Sequence, residues 1–357
     1  MTSKVVVLKT DPERVVKNYE RLMRLALYEE FVPKDNDTII KINLSWTKYF
    51  PACSSQPWQL EGVVKTMLED GYKKETLFPV ENKTVVTNPV KGAINNRWMS
   101  VLKEYGLPFI PLPEVEWVVY PFKSKLLRLN AIFPEGIQIP KMFIGKNVIH
   151  LPTVKTHGHS ITTGAIKNSF GGLLKEVRHY AHKYIHEVMV DLLLMQKEIH
   201  PGIFAVMDGT VCGDGAGPRT MIPRIKNYIL ASNDQVAIDA IAAKMMGFDP
   251  MGIQYIRMCH EMGLGIGNPK DIEIVGEDIS SVNFGFKTKR SLVIWGDQFI
   301  RKGPLQPLER ILLHSPLVVW APIASNIYHD WFWYPIIGKK IIREFFKTEW
   351  GRLFLKY

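Results

Sequence analysis

Cysteine is scarce in this sequence. The 357 residues include three cysteines, Cys53, Cys212 and Cys259, which lie far apart. An odd number of separated cysteines cannot build a disulfide framework, and three thiolates are too few for a self-contained four-cysteine iron–sulfur cluster. We therefore expect a protein of a reducing compartment.

Long hydrophobic runs and a secretory signal are missing as well. Charged residues stand near the N-terminus, where a signal peptide needs an apolar core. No uninterrupted apolar run reaches the roughly 20 residues that a membrane-spanning helix needs. These two absences predict a cytoplasmic protein.

Acidic residues are outnumbered by basic ones. The 45 Lys and Arg face 35 Asp and Glu, which gives a net charge of +10. Such a balance favours an anionic partner. The chain has no run of five basic residues and no RRM, KH or zinc-finger pattern, which argues against nucleic acid. We expect a small anionic substrate.

Segments typical of strands and helices alternate along most of the chain. This alternation predicts an α/β fold with mainly parallel sheets and flanking helices. We expect two Rossmann-like lobes, over residues 1–140 and 141–290, and an apolar, aromatic C-terminal extension over 291–357. Strands are predicted at 5–8, 38–44, 76–80, 146–151, 204–208, 228–231 and 271–275, and helices at 11–30, 59–70, 95–105, 182–198 and 234–246.

The C-terminal extension combines aromatic and basic residues. It contains WFWY at 331–334, and from Trp331 onward it has six Lys or Arg against two Asp or Glu. Three prolines argue against one straight spanning helix. Two interpretations stay open. The aromatic residues complete the core or a homo-oligomer contact, which we favour, or the segment lies on an anionic membrane surface as a peripheral contact.

Histidine is concentrated in one part of the chain. Seven of the ten histidines fall between residues 150 and 200, where a predicted strand is followed by TVKTHGHSITTGAIKNSFGG. Ligands of α/β sheets bind beyond the carboxyl ends of the strands. A lysine near other cations has a lowered pKa, and histidine transfers protons near neutral pH. We therefore predict catalytic roles for Lys155, His157 and Lys167.

The glycine- and threonine-rich turn in this segment is suited to an anion. Backbone N–H groups at a helix start can hold a phosphate, although the Gly-Lys-Ser/Thr ending of a P-loop is missing. The predicted cofactor-binding residues are Thr162, Thr163, Gly164, Asn168 and Gly171, together with Lys41 and Asn43 of KINLS. Glu81 is expected at the same sheet edge.

Three histidines follow at helical spacing. His179, His182 and His186 share one helix face, and such spacing can present two imidazoles to a divalent transition metal. We predict His182 and His186 as metal ligands, while a solvated helix face stays open as the alternative.

Aspartates form a second polar set. Asp208 ends the predicted strand FAVMD and would point to the same sheet edge as Lys155, so we predict a catalytic role for it. Asp214, in the turn GDGAGP, either binds a cation or makes an Asx turn. Asp234 is expected to cap the following helix. Asp239, among apolar residues of that helix, needs a partner if buried, and a lysine of the site would serve.

Three motifs resemble the domain of unknown function 362 family: LPTVKTH…TTGAIKNSFGG, MDGTVCGDGAGP and ASNDQVAIDAIAAKMMGFDP, within about residues 38–267. A more distant similarity links His157, Lys167 and the later histidines to the N-terminal domain of lactate-racemase-like proteins. That resemblance implies Lys167 as the tether of a nickel-pincer nucleotide cofactor, His182 as a metal ligand and His157 as a proton-transfer residue.

These observations predict an enzyme with a Lys/His/Asp site. Its proton or hydride chemistry, of isomerase or oxidoreductase type, would act on a small anionic substrate, with assistance from a metal or a lysine-tethered nucleotide cofactor. Two alternatives stay open. One is a phosphate-handling ligase or transferase with Mg²⁺ on Asp208 and Asp214. The other is a non-catalytic metal or cofactor carrier docked on a membrane or a partner.

Overall fold

A computed structural model describes residues 3–84, 86–308, 311–312 and 320–357, without the side chains of 176–179 and 302. Its strands are β1 Ser3–Lys9, β2 Thr38–Lys41, β3 Leu77–Glu81, β4 Ile110–Pro111, β5 Trp117–Val119, β6 Gln138–Pro140, β7 Asn147–His150, β8 Thr153–His157, β9 Ile161–Thr162, β10 Ile203–Ala216, β11 Thr220–Ser232 and β12 Ile272–Gly276. The first helices are α1 Val15–Leu25, α2 Tyr28–Phe31, α3 Pro57–Glu69, α4 Pro89–Asn95, α5 Trp98–Glu104, α6 Leu129–Ile132 and α7 Ala165–Leu173. They are followed by α8 Ile185–Ile199, α9 Gln235–Met246, α10 Gln254–Glu261, α11 Leu292–Lys302, α12 Trp320–Asn326, a π-helical segment Ile327–Gly338, α13 Lys339–Phe345 and α14 Glu349–Lys356.

One large sheet organises the described part of the chain. Its strand order is β12-β1-β11-β10-β7-β2-β3-β4, with β8 beside β10 and β9 beside β8. The pairings from β10 through β7, β2 and β3 to β4 are parallel, whereas β11 runs antiparallel to β1 and β10. The predicted α/β fold with a mainly parallel sheet and flanking helices is confirmed. Strands from both predicted lobes share this sheet, because β2 pairs directly with β7.

Each face of the sheet packs into its own hydrophobic core. Successive strand residues point to opposite faces, so the strands of a sheet covered by helices on both sides read as continuous apolar runs. Val7, Ile39 and Val148 pack with α7 to α10, while Val6, Ile40 and Ile149 pack with α1, α3 and α5. The second core also takes in the chain end, where Trp350 lies 5.0 Å from Trp58 between ring centroids. This end of the aromatic extension therefore completes the core.

Several predicted element boundaries are wrong. The helix expected over 11–30 is interrupted at Leu27, whose φ of 52° is left-handed, and the one expected over 95–105 is interrupted at Arg97 with φ 64°. The strand expected to end at Asp208 continues to Ala216, because it forms a long hairpin with β11. Long-range pairing of this kind extends a strand beyond its apolar run.

No described helix is both long enough and apolar enough to cross a bilayer.

Candidate active site

A cavity of about 340 Å³ opens at the carboxyl ends of β2, β3 and β8. This is the edge of a parallel sheet where α/β proteins bind ligands. The extension roofs it with α11, α12 and the start of the π-helical segment. Its polar and charged lining comprises Lys41, Asn43, Ser45, Glu81, Thr84, His157, His159, Lys167, Asn168, His182, Arg219, Ser291, Asp297, Arg301, Ser325 and His329.

Half of the residues predicted for the site meet in this cavity. Those that line it are Lys41, Asn43, His157, Lys167, Asn168, Gly171 and His182. Those that do not line it are Lys155, Thr162, Thr163, Gly164, His186, Asp208 and Asp214.

Three histidines form a row inside the cavity. The ring centroids of His157 and His159 are 5.7 Å apart, and those of His159 and His182 are 5.1 Å apart. The Lys167 ammonium lies 4.9 Å from the ring centre of Phe170, which in turn packs against His182. A cation therefore stands beside the imidazole row.

His157 is held in one orientation. Its Nδ1 accepts hydrogen bonds from the backbone N–H groups of His159 and Ser160, at 3.2 and 3.4 Å. Burial lowers the pKa of His157 well below its ordinary value, and the nearby Lys167 lowers it further. The neutral ring with an accepting Nδ1 carries its proton on Nε2.

His159 faces a carboxylate from the extension. Its Nε2 lies 3.8 Å from Asp297 Oδ2 on α11, and Asp297 also accepts a 2.9 Å hydrogen bond from Arg301. An imidazole next to an oriented carboxylate can accept a proton and have the resulting imidazolium stabilised.

A buried ion pair closes one side of the cavity. Lys41 Nζ lies 2.8 Å from Glu81 Oε1, and both side chains are almost fully buried. Asn82 also donates its backbone N–H to this carboxylate oxygen. The other oxygen, Oε2, has no hydrogen-bond partner among the described residues. Asn168 completes this side by donating to the Lys41 carbonyl at 2.9 Å.

Lys155 acts from behind the cavity wall. Its ammonium donates to Asn43 Oδ1 at 2.5 Å, Ser45 Oγ at 3.0 Å and the Cys53 carbonyl at 2.5 Å. Burial lowers its pKa to about 8. Three acceptors occupy its three N–H donors, so Lys155 contacts Asn43 and Ser45 and does not itself line the cavity. Its catalytic role stays a prediction.

The threonine-glycine turn holds α7 rather than the cavity. Thr162 contacts the Tyr255 hydroxyl at 3.2 Å, and Thr163 donates to the Lys155 carbonyl at 3.3 Å. A Cβ at Gly164 would overlap the carboxylate of Asp239. The turn thus brings Asp239 against the start of the helix that carries Lys167 and Asn168.

The expected lysine partner of Asp239 is a wrong prediction. Its carboxylate accepts from the backbone N–H groups of Ala165 and Ile166, at 2.6 and 3.3 Å, and from the Tyr255 hydroxyl. Burial raises its pKa to about 8. Asp239 therefore caps the N-terminus of α7 from a different helix, since the first N–H groups of a helix need acceptors.

Asp208 does not lie at the sheet edge, which corrects the placement expected from the sequence. It is in the interior of β10, fully buried, and accepts from the Tyr19 hydroxyl at 2.6 Å and the Trp58 indole at 3.1 Å. Asp214 contacts Arg224 at 3.5 Å and the backbone N–H of Lys287 at 3.0 Å. The two aspartates therefore belong to separate local networks, and neither lines the cavity.

The two predicted metal-binding histidines point to different places. His182 lies in the cavity, whereas His186 stacks against Tyr255 with a 6.2 Å centroid distance. The side chain of His179 is outside the described residues. Among the described residues, no three His, Cys, Asp or Glu side chains are grouped so as to hold a metal ion.

The lining also contains residues absent from the predicted set: Ser45, Thr84 and His159 near predicted positions, and others from the extension and the β10–β11 turn. Asp297, Arg301 and His329 line the cavity from the extension, and Arg219 does so from the turn. The four-residue spacing of Asp297 and Arg301 signalled a helical ion pair. Nothing local in the sequence signalled that this helix would cover the sheet edge.

Two other histidines of the dense segment are structural. His150 bonds Gln196 at 2.6 Å, and His200 bonds the Lys146 carbonyl at 2.7 Å. Burial lowers the pKa of His200 to about 4. His200 is therefore protonated below about pH 6.5 in the unfolded chain, but only below about pH 4 in the folded chain.

His200→Gln should flatten the pH dependence of stability. As the pH falls from 7 to 5, the buried neutral histidine costs wild-type protein about 2 kcal/mol of unfolding free energy, and the glutamine variant avoids this loss. Urea unfolding of both proteins at several pH values checks it. Parallel curves for the two proteins would contradict the assigned burial effect.

The fold and the cavity define an α/β protein with a cavity lined by lysines and histidines at the carboxyl edge of its sheet. By its sequence, the chain belongs to the family described as "Domain of unknown function (DUF362)", whose model matches residues 38–244. The resemblance stated from the motifs is thereby confirmed. The similarity to lactate-racemase-like proteins stays a prediction.

One relative is a protein of Synechocystis sp. described as thylakoid-associated. It is 23% identical over 250 residues, which cover 68% of this chain and 72% of that protein.

Proposed function

We propose that this protein is an enzyme that binds a small anionic substrate in the cavity and transfers protons on it, in a reaction of isomerase or oxidoreductase type. The observation that carries the proposal is the row of His157, His159 and His182 beside Lys167 in one cavity. Titratable groups of this kind, gathered in a cleft, are the usual mark of a catalytic site.

The charge of the lining supports an anionic substrate. The described lining contains four basic side chains, Lys41, Lys167, Arg219 and Arg301, against the acidic Glu81 and Asp297. Lys41 is committed to Glu81 and Arg301 to Asp297. The lining as a whole therefore carries more positive than negative charge, which a carboxylate or phosphate would neutralise.

The histidines would divide the proton chemistry. His157, with its proton on Nε2, would donate a hydrogen bond to an oxygen of the substrate and polarise it. His159, supported by Asp297, would accept a proton from the substrate. His182 is adjacent and would pass that proton on.

A lysine-tethered nucleotide cofactor is a second form of this proposal, supported by the position of Lys167 in the cavity. The mass of the intact protein tests it directly. A tethered cofactor predicts a mass above that of the sequence, lost in Lys167→Met and kept in Lys175→Met. If the measured mass of each of the three proteins matches its own sequence, this form of the proposal is removed.

Lys167→Met should also weaken anion binding. Loss of a charge-assisted contact corresponds to an affinity about tenfold to a hundredfold lower. Calorimetric titration with a panel of 2-hydroxy, 2-oxo and phosphorylated carboxylates measures this effect. Lys175→Met is the matched control, because Lys175 lies outside the cavity near Trp117. If no compound binds wild type more tightly than it binds Lys167→Met, the proposed site is wrong.

We also propose that the protein works in the cytoplasm as a peripheral protein at a membrane surface. The description of the Synechocystis relative as thylakoid-associated supports this location.

A further inference from the structure

The extension has an inner face that belongs to the cavity. Ser325, His329 and Trp333 follow one another at intervals of four residues and are buried. Ser325 and His329 line the cavity, while Trp333 packs against Phe50 with a 5.3 Å centroid distance. This side of the segment is therefore fully used by the fold.

The opposite face is exposed and apolar. Ile323, Ile327, Trp331, Phe332 and Ile336 are 52%, 48%, 76%, 52% and 60% exposed. Ile323, Ile327 and Trp331 are four residues apart, as are Phe332 and Ile336, which matches one face of a helix that changes from α to π geometry. We call these five residues the outer apolar surface.

This exposure is concentrated. Single exposed apolar residues are normal on a protein, whereas a contiguous group marks an interaction site. Among the described residues, 23 large hydrophobic side chains are exposed, and eleven of them lie between Leu292 and Ile337. Leu292 and Trp295 of α11, which roofs the same cavity, are 71% and 56% exposed.

Basic residues flank the exposed segment on both sides. Lys339, Lys340 and Arg343 follow the outer apolar surface directly and are exposed. Exposed Lys287, Lys289 and Arg290 precede α11. Residues 287–343 contain nine Lys or Arg against three Asp or Glu.

Aromatic side chains with adjacent lysines and arginines suit a bilayer surface, which offers an apolar acyl-chain boundary beneath a layer of headgroups. Tryptophan and phenylalanine bury at the boundary between headgroups and acyl chains, and cations meet anionic headgroups. A second copy of this chain would bring the same positive charges together, which opposes self-association. The charge therefore favours an anionic lipid surface as the occupant.

We propose that the outer apolar surface docks the protein on an anionic lipid bilayer, with the flanking lysines and arginines on the headgroups. The inference rests on the peripheral location proposed above and specifies its surface and lipid class. It places the roof of the cavity, including Ala321 and Pro322, against the membrane.

Flotation with lipid vesicles tests the proposal on the full chain. Wild type should float with phosphatidylcholine vesicles that contain phosphatidylglycerol, and less with phosphatidylcholine alone or at high salt. The variant Trp331→Ser/Phe332→Ser/Ile336→Ser should partition at least about tenfold more weakly, since it removes three apolar side chains from the contact.

A matched control replaces exposed apolar residues elsewhere. Leu25→Ser/Ile94→Ser/Met262→Ser removes side chains that are 37%, 55% and 44% exposed, outside the extension. It should float like wild type, and thermal unfolding shows that both triple variants are folded.

Three results would overturn the docking surface. If wild type floats and the Trp331 triple variant floats equally, the peripheral location stands and this surface is wrong. If wild type does not float, both the location and the surface are wrong. If no protein floats, and light scattering shows that wild type and the control variant are dimers while the Trp331 triple variant is a monomer, the surface would be assigned to a second copy. The catalytic proposal is tested separately by anion binding, without vesicles.

Discussion

Asp208→Ala should lower the free energy of unfolding by about 3–5 kcal/mol, among the largest effects of any single substitution in this chain. The buried carboxylate accepts hydrogen bonds from Tyr19, Trp58 and Thr210, the last at 2.9 Å from its hydroxyl. Alanine leaves these buried donors without an acceptor, and each unsatisfied donor costs about 1–3 kcal/mol, partly relieved by water. The void left by the side chain adds to the loss.

Urea unfolding measures this loss, and Tyr19→Phe provides the matched control. That variant removes one donor and leaves the carboxylate with its other partners, so we expect a loss of about 1 kcal/mol. The calorimetric panel described above identifies an anion that binds wild type more tightly than it binds Lys167→Met. The folded Asp208→Ala variant should bind that anion with the affinity of wild type. A variant as stable as wild type but unable to bind would instead return Asp208 to the active site.

Glu81→Ala should destabilise the protein by about 3–5 kcal/mol. Lys41 is 1% exposed, and its ammonium would lose its buried counter-charge, which is far more costly than breaking a surface ion pair. The double variant Lys41→Met/Glu81→Leu should recover most of this loss, because apolar side chains of similar size can replace a buried pair.

A double-mutant cycle by urea unfolding separates these contributions. Glu116→Ala is the control, because its ion pair with Lys141 is exposed and we expect no measurable loss of stability. If Glu81→Ala stays within about 1 kcal/mol of wild type, the low-dielectric character of this side of the cavity would be refuted. A double variant less stable than Glu81→Ala would contradict the replacement argument.

Local sequence patterns predicted those features of the fold that depend on interactions between neighbouring residues. Short β-branched runs separated by amphipathic helices identified a parallel α/β sheet, because burial on both faces demands such runs. Asp234 was expected as a helix cap, and its side chain accepts from the N–H groups of Val236 and Ala237. The boundaries at Leu27 and Arg97 escaped prediction, since both residues adopt left-handed φ angles that residues other than glycine rarely take.

The sequence predicted part of the site by the rule that strand ends carry ligands. Lys41 and His157 are the last residues of parallel strands, Asn43 follows one, and all three reach the cavity, as does Lys167 from the next helix. The same rule wrongly placed Asp208 at the sheet edge, because it took Asp208 as the last residue of its strand. The strand continues to Ala216 in its hairpin with β11, and this pairing is not visible in the local sequence. The partners of Asp239 are likewise distant in the chain, and no local pattern reports them.

By itself, then, the sequence determined the fold class, the family and the segment that carries the histidines and lysines. Only the tertiary structure decided which of these polar groups share a cavity. Lys155 donates a hydrogen bond to Asn43 and does not line the cavity, and Asp208 is buried in the core. Asp297 and Arg301 of the extension line the cavity at the sheet edge. The reason is that the hydrophobic periodicity of a helix or strand is set by neighbouring residues. The burial and charge pairing of a side chain depend instead on segments that are distant in the chain.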